Sequence, residues 1–304
     1  MTPLAPPATI AFLGLGMMGR PMAARLVAAG YKLRLFDVSQ KAVSDFVGAH
    51  PAALATASPK AAAQGADALI TMLPDGKIVR QALIEGRDAA REGLAAGALV
   101  LDMSSSNPVE TQRLARDLAS QGVALLDAPV SGGVKRAIDG SIAIMVGGAA
   151  ADLERARPAL AAIGKTITHC GPAGAGHALK ALNNYLSASQ LVAMCEALVV
   201  GEAFGLDPGL MIDVFNNSSG RSNATDVKGR QFVVSRTFAA GFTTRLMAKD
   251  LRTAGDIATH LKLKMPALQQ AVGYWADVES RLGPAADHTE VMRYAEMLAE
   301  EKAS

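Results

Sequence analysis

The chain has 304 residues, 50% of them hydrophobic and 19% charged, so it is long enough for two domains with proper cores and too apolar for a disordered chain. Lysine plus arginine number 30 against 28 aspartates and glutamates, a formal net charge of +2, which argues against a nucleic-acid or membrane-surface partner needing a clustered basic face. Two cysteines, Cys170 and Cys195, and five scattered histidines offer neither a disulfide framework nor a zinc-ligand spacing.

The opening Met1-Thr-Pro-Leu-Ala-Pro-Pro has no basic stretch before an apolar core and no transit-peptide arginines. No apolar run is expected to approach membrane-spanning length, and the expectation is a soluble, cytoplasmic protein. Short apolar runs at 9–13, 33–36, 68–72, 99–101, 124–126 and 142–146 read as strands. Amphipathic segments at 18–29, 76–84, 108–120 and 151–163 lie between them. This alternation predicts a mostly parallel sheet with helices on both faces.

Gly14-Leu-Gly16-Met-Met-Gly19 follows the first run and opens the first helix. Glycines there permit a tight turn, close approach of the backbone to a pyrophosphate, and packing of helix on strand, while the helix N-terminus favours the anion. Asp37 ends the second strand, where a carboxylate accepts hydrogen bonds from ribose hydroxyls. Together these predict a dinucleotide site with NAD as cofactor. Val38-Ser39-Gln40 holds no arginine for a 2′-phosphate, but Lys41 keeps NADP as the alternative. The competing reading of Asp37 is an N-cap for the next helix.

Two later strand ends, Leu73-Pro74-Asp75 and Met103-Ser104-Ser105-Ser106, are expected to line the same cleft, with ordinary turn chemistry as the alternative. Asn107-Pro108-Val109-Glu110 reads as a helix start, with a capping side chain, a first-turn proline and a glutamate three residues after the cap. In Asp127-Ala-Pro-Val-Ser131-Gly132-Gly133, a serine before paired glycines presents a hydroxyl and backbone N–H groups that suit a carboxylate.

Beyond Gly176 the pattern turns helical. Residues 177–204 contain no proline and a single glycine, and predict one helix of roughly 40 Å. Later helices are broken near 205–208, 218–222, 241 and 283–284. The expected fold is α/β: a Rossmann-type dinucleotide-binding domain over 1–170, then an all-α domain over 171–304, joined by a long helix at about 177–204. On that helix Lys180 and Asn184, four residues apart, leave the same face. A lysine desolvated there would suit proton transfer near neutral pH; a surface lysine beside a helix start is the alternative. His177, one turn earlier, is a second acid–base candidate, though a structural hydrogen-bonding role fits it better.

The order of these motifs resembles the β-hydroxyacid dehydrogenase family, which includes 3-hydroxyisobutyrate dehydrogenase and tartronate semialdehyde reductase. The resemblance rests on GLGMMG near the start, MLP at 72–74, DAPVSGG at 127–133, GPAGAGHALKALNN at 171–184 and LMAKDL at 246–251. It implies NAD(P) contacts at Gly14, Gly16, Met17, Met18, Gly19, Asp37, Leu73, Pro74 and Ser105, with Lys249 near the nicotinamide. It further implies substrate contacts at Ser131, Gly132, Gly133 and Asn184, with Lys180 as general acid and base. No metal is implied. The implied activity is interconversion of a small 3-hydroxy acid and its semialdehyde, nearest to 3-hydroxyisobutyrate dehydrogenase. Tartronate semialdehyde (2-hydroxy-3-oxopropionate) reductase and a non-catalytic NAD-binding protein are the alternatives.

Two departures bear on the substrate. Lys135-Arg136-Ala137 stands where many members have a Gly-Ala pair, and its charges are expected to face solvent. The stretch from Ser218 to Asn223 begins like the 3-hydroxyisobutyrate enzymes but lacks their tryptophan. The 6-phosphogluconate dehydrogenases share the lysine-to-asparagine spacing but are much longer and carry histidine at the place of Asn183. Imine reductases typically replace the lysine. The expected partners are a small anionic hydroxy acid and further copies of the chain, as a homo-dimer or homo-tetramer burying apolar helical surface.

Overall fold

The computed structural model describes residues 2–301. Its contacts divide the chain into one unit ending at Lys180 and a second beginning at Ala181. In the first unit, strand β1 (Thr9–Leu13) is hydrogen-bonded in parallel to β2 (Lys32–Phe36) on one side and to β4 (Ala68–Thr71) on the other, with β3 (Leu54–Ala55) beyond β2. The sheet continues in parallel through β5 (Leu99–Asp102) to β6 (Ala124–Asp127). It ends in an antiparallel turn-back built from β7 (Val130–Ser131) and β8 (Ile142–Gly147), to which β9 (Gly164–Gly171) pairs in parallel. The strand order is β3-β2-β1-β4-β5-β6-β8-β7, with β9 on β8.

Every residue of β4 and β5 is buried. Both faces are covered, which is why these strands read as unbroken apolar runs and not as alternation. The first unit's helices are α1 (Gly19–Ala28), α2 (Gln40–Ala49), α3 (Pro59–Ala63), α4 (Gly76–Arg80), α5 (Pro108–Ala119), α6 (Gly133–Asp139) and α7 (Ala150–Ile163). The chain runs outward from β1 through β2 to β3 and then crosses back to β4 on the other side of β1, so the strand order reverses beside β1, and in such sheets the crevice outside the strands' carboxyl ends receives the ligand.

Helix α8 (Ala175–Phe204) runs across the division between the units, and the second unit adds α9 (Pro208–Asn216), α10 (Thr244–His260), α11 (Pro266–Leu282) and α12 (Val291–Glu300). A π-helical segment, Ala224–Val234, lies between α9 and α10. The core of the second unit gathers Leu191, Cys195 and Leu198 of α8 with Ile212, Leu251, Trp275 and Val291.

Three departures from the sequence reading have local causes. Strand β9 escapes an apolar-run search because its only large apolar side chain is Ile167 and most of its residues are exposed or half-buried. The segment expected as one helix over 76–84 is α-helical only to Arg80 and continues as a π turn, Gln81–Glu85, closed by the Gly86 N–H donating to the Gln81 carbonyl. Helix α8 is long and apolar enough to cross a membrane by length and composition, where no apolar run of that length was expected. A search for unbroken apolar runs misses this because Asn183, Asn184, Ser187 and Gln190 interrupt the run without removing the average.

Trp275 is fully buried, and its indole Nε1 has no hydrogen-bond partner among the described residues. Trp275→Ala should therefore cost about 3–5 kcal/mol of unfolding free energy, measured by urea denaturation. Trp275→Phe should cost much less, because the lost volume is offset by removal of an unpaired buried donor.

Candidate functional site

The glycine loop forms because β1 must turn sharply into α1 at the centre of the sheet. Gly14 has φ +103°, and a Cβ there would stand 2.3 Å from the Met72 carbonyl oxygen at the end of β4. At Gly19 a Cβ would stand 2.0 Å from the Gly14 carbonyl oxygen, so the helix starts as close to the turn as backbone allows. Gly16 is different: a Cβ there meets nothing within 4 Å, which leaves open space over the loop where a diphosphate would approach. Met17 is exposed and Met18 half-buried, flanking that opening.

Asp37 follows β2 directly. Its Oδ2 accepts from the Leu15 N–H of the glycine loop at 2.6 Å, and its Oδ1 accepts from Ser39 N at 2.7 Å. The N-cap of α2 is Ser39, whose side chain accepts from Ala42 N, so Asp37 is not the helix cap. Asp37 is half-buried at the loop, and a carboxylate has lone pairs left for ribose hydroxyls after these two bonds. A tight turn, an open backbone position and an acceptor at the adjacent strand end fit a dinucleotide.

The other two strand ends are tied together. Ser104 Oγ accepts from Leu73 N at 3.0 Å, joining the turn after β5 to the turn after β4. Asp75 is the N-cap of α4, accepting from Lys77 N and Ile78 N, so that end of the motif is turn chemistry, and Pro74 beside it is exposed. Ser105 is half-buried between the buried Ser104 and Ser106. Asn107 caps α5 by accepting from Val109 N, while Glu110 pairs with Arg113.

Behind these ends lies a buried polar cluster whose parts the sequence reading did not assign. Asp102 accepts from Thr71 Oγ1 at 2.8 Å, Ser104 N at 3.0 Å and Ser106 Oγ at 2.8 Å. Asp127 accepts from Gly174 N at 2.7 Å and His177 N at 2.8 Å, which places its carboxylate at the start of α8. His177 Nε2 lies 3.0 Å from the Ser104 carbonyl oxygen and its Nδ1 lies 2.8 Å from Thr111 Oγ1. A carbonyl only accepts, so Nε2 carries a proton. Both ring nitrogens are engaged, and the ring is buried, so His177 is built as a positioning group and not as a free acid or base. The visible signal for this cluster was modest: aspartates closing two consecutive parallel strands.

Lys180 follows His177 by about one helical turn and is half-buried. Ser131 closes β7, paired opposite Ala143, and Gly132 and Gly133 follow with φ +134° and +68° at the start of α6. Lys135 and Arg136 are exposed, as expected for charges facing solvent.

In the second unit, Asn184 is buried on α8, and its Nδ2 donates to Asp250 Oδ2 at 2.5 Å. Asp250 Oδ1 in turn lies 3.2 Å from Lys249 Nζ. Asp250 is a residue the sequence reading passed over in favour of its neighbour. Its signal was present: Met247, Asp250, Leu251 and Ala254 share the buried face of α10, an acidic residue among apolar ones.

Residues 9–171 match the family model described as the NAD-binding domain of 6-phosphogluconate dehydrogenase, and residues 174–295 that described as NAD-binding of NADP-dependent 3-hydroxyisobutyrate dehydrogenase. The chain is 40% identical over 255 residues to an NAD-dependent L-serine dehydrogenase of Pseudomonas aeruginosa, covering 82% of this chain and 85% of the relative. It is 38% identical to a 3-sulfolactaldehyde reductase of Escherichia coli, covering 85% and 86% respectively. Among solved structures, 3-hydroxyisobutyrate dehydrogenase of Mycobacterium tuberculosis with L-serine superimposes with a TM-score of 0.86 at 36% identity, covering 94% of this chain and 98% of that one.

The cluster makes a stability prediction. Asp127→Asn keeps the side chain's shape but sets an amide NH₂ against a backbone donor. It should lower the unfolding free energy by about 2 kcal/mol, the scale of a buried donor left unsatisfied, in urea denaturation. An unmoved midpoint would show that the carboxylate does not hold the first turn of α8.

Proposed function

Because the chain belongs to the β-hydroxyacid dehydrogenase family, and is thereby an NAD(P)-dependent oxidoreductase acting on a hydroxyl group, we propose that Lys180 is its general acid and base and that its substrate is a small 3-hydroxy acid. NAD(P), when bound, supplies the hydride acceptor or donor. Gly14, Gly16, Met17, Met18 and Gly19 would hold its diphosphate, Asp37 its ribose, and Leu73, Pro74 and Ser105 would line its further length, with Lys249 toward the nicotinamide. Asp37 favours NAD, since its carboxylate would repel a 2′-phosphate.

Ser131, Gly132 and Gly133 would hold the substrate carboxylate through a hydroxyl and backbone N–H groups. Asn184, oriented by Asp250, would donate or accept at the substrate's oxygens. In oxidation Lys180 takes the hydroxyl proton; in reduction it returns one to the carbonyl oxygen, and its charge polarises that oxygen beforehand. The observation that carries this reading is the anchoring of α8: Asp127 and His177 fix the turn from which Lys180 extends. Relatives named for 3-hydroxyisobutyrate, L-serine and 3-sulfolactaldehyde bracket the substrate class. Within it, 3-hydroxyisobutyrate is our first choice and tartronate semialdehyde the second.

Lys180→Ala should lower kcat by at least about 10²-fold, the lower end of general acid–base catalysis, with cofactor affinity nearly kept. Lys180→Arg should be nearly as poor, because guanidinium does not release its proton near neutrality. Nicotinamide absorbance on the best substrate reads both. A Lys180→Ala enzyme with near wild-type kcat would mean another group moves the proton.

The protein would act in the cytoplasm, as a homo-oligomer. Leu182, Leu186, Val200 and Phe204 recur along α8 at helical spacing with large exposed surfaces, Phe204 being 84% exposed, and a second copy would cover such a stripe. Replacing Val200 and Phe204 together by glutamate should shift the sedimentation coefficient toward that of a single chain.

A further inference from the structure

Ser104 has no part in the reaction scheme, yet each of its polar groups is engaged by a different piece of the first unit. Its N–H donates to Asp102 Oδ1 at the end of β5, its Oγ accepts from Leu73 N in the turn after β4, and its carbonyl accepts from His177 Nε2 on α8, each at 3.0 Å. Ser104 is 1% exposed, so it touches no ligand and can act only by holding what does. Asp102 also accepts from Thr71 Oγ1 on β4 and from Ser106 Oγ, which clamps the chain on both sides of Ser105.

Asp127 pins the backbone of α8 at the end of β6, through the N–H groups of Gly174 and His177. That contact does not reach the turns after β4 and β5, which carry Leu73 and Ser105. The His177 side chain does reach them, through the Ser104 carbonyl, and Thr111 Oγ1 at 2.8 Å from Nδ1 keeps the buried ring turned that way. Lys180 follows three residues later, with its Cβ about 5–6 Å from that of His177 on the same side of the helix. All of these residues lie in the first unit, which ends at Lys180.

We propose that Ser104 and His177 are positioning residues that register Lys180 against the two cofactor turns, Ser104 being the joint between them. The proposal rests on the reading of Lys180 as the acid and base and of Leu73 and Ser105 as cofactor contacts. Proton transfer and hydride transfer occur at neighbouring atoms of one substrate, so the amine must be placed relative to the cofactor and not only relative to the sheet. Without the bond from His177 to Ser104, α8 stays pinned at β6 alone and its first turn tilts about that point. Lys180 then moves while the cofactor turns keep their shape.

Two amides at one position test this with the full chain, NAD and its best hydroxy acid. In His177→Gln the amide nitrogen stands where Nε2 was and still donates to Ser104; in His177→Asn it stands where Nδ1 was and leaves the Ser104 carbonyl without a donor. Both keep the backbone bond to Asp127. His177→Asn should lower kcat by about tenfold or more, the scale of a small misplacement, while the NAD dissociation constant from calorimetry moves by less than about threefold. His177→Gln should restore most of that kcat. Ser104→Ala keeps the carbonyl but takes the acceptor from Leu73 N, and should weaken NAD binding more than it lowers kcat. In a Lys180→Ala background His177→Asn should cost about twofold or less, because an absent amine cannot be misplaced. Thr111→Val, which frees the ring, should lower kcat in the same direction by less and carries the test if His177→Asn does not fold. Equal kcat in the Asn and Gln variants, a full loss in the Lys180→Ala background, or NAD affinity falling as far as kcat overturns the positioning role. An unmoved NAD affinity in Ser104→Ala overturns the joint at Ser104. Near wild-type kcat in Lys180→Ala overturns the reading of the lysine, and the positioning role with it, whereas a slow Lys180→Ala beside equal Asn and Gln variants overturns the positioning role alone.

Discussion

One carboxylate governs where the second half of the chain begins. Asp127 closes β6 and receives the N–H groups of Gly174 and His177, donors that a helix start cannot satisfy from within. A negative charge at that end also suits the helix dipole. The approach is possible because two neighbours have no side chain: a Cβ on Gly147 would stand 2.5 Å from Asp127 Oδ1, and one on Gly176 would stand 2.4 Å from the Met145 carbonyl oxygen. The glycines of the GPAGAG stretch thus serve a close contact between helix and sheet. His177 then carries the link to the strand end at Ser104 and to α5 at Thr111, so three elements share one register. The lysine one turn later inherits its place from this arrangement.

The same economy appears in the glycine loop. Gly14 and Gly19 have no room for a side chain, while a Cβ at Gly16 would meet nothing within 4 Å among the described residues. The first two shape the turn, and the third keeps the backbone accessible above it. Asp37 takes part in both tasks, bonding to the Leu15 N–H of the loop while standing at the strand end where a ribose would lie.

Within the second unit, two polar groups of α8 meet partners from other elements. The buried Asn184 meets Asp250, and the half-buried Ser187, three residues on, meets Lys228. A buried amide such as Asn184 is costly unless matched, and Asp250 supplies the match.

Much of this was legible in the chain alone. The glycine spacing, the acidic end of β2 and the six apolar runs follow from backbone sterics and burial, which act locally, and they sufficed to give a Rossmann-type domain, a long helix and a helical remainder. The lysine and asparagine at a spacing of four needed only the helical repeat. Tertiary structure decided what depends on residues distant in sequence: that Asp127 captures Gly174 and His177 some 47 and 50 positions later, that Asp250 holds Asn184, and that a π-helical segment delivers Lys228 to Ser187. Hydrogen bonds between remote segments leave no periodic trace in a sequence, because the partner's position is fixed by how the layers pack and not by any local repeat.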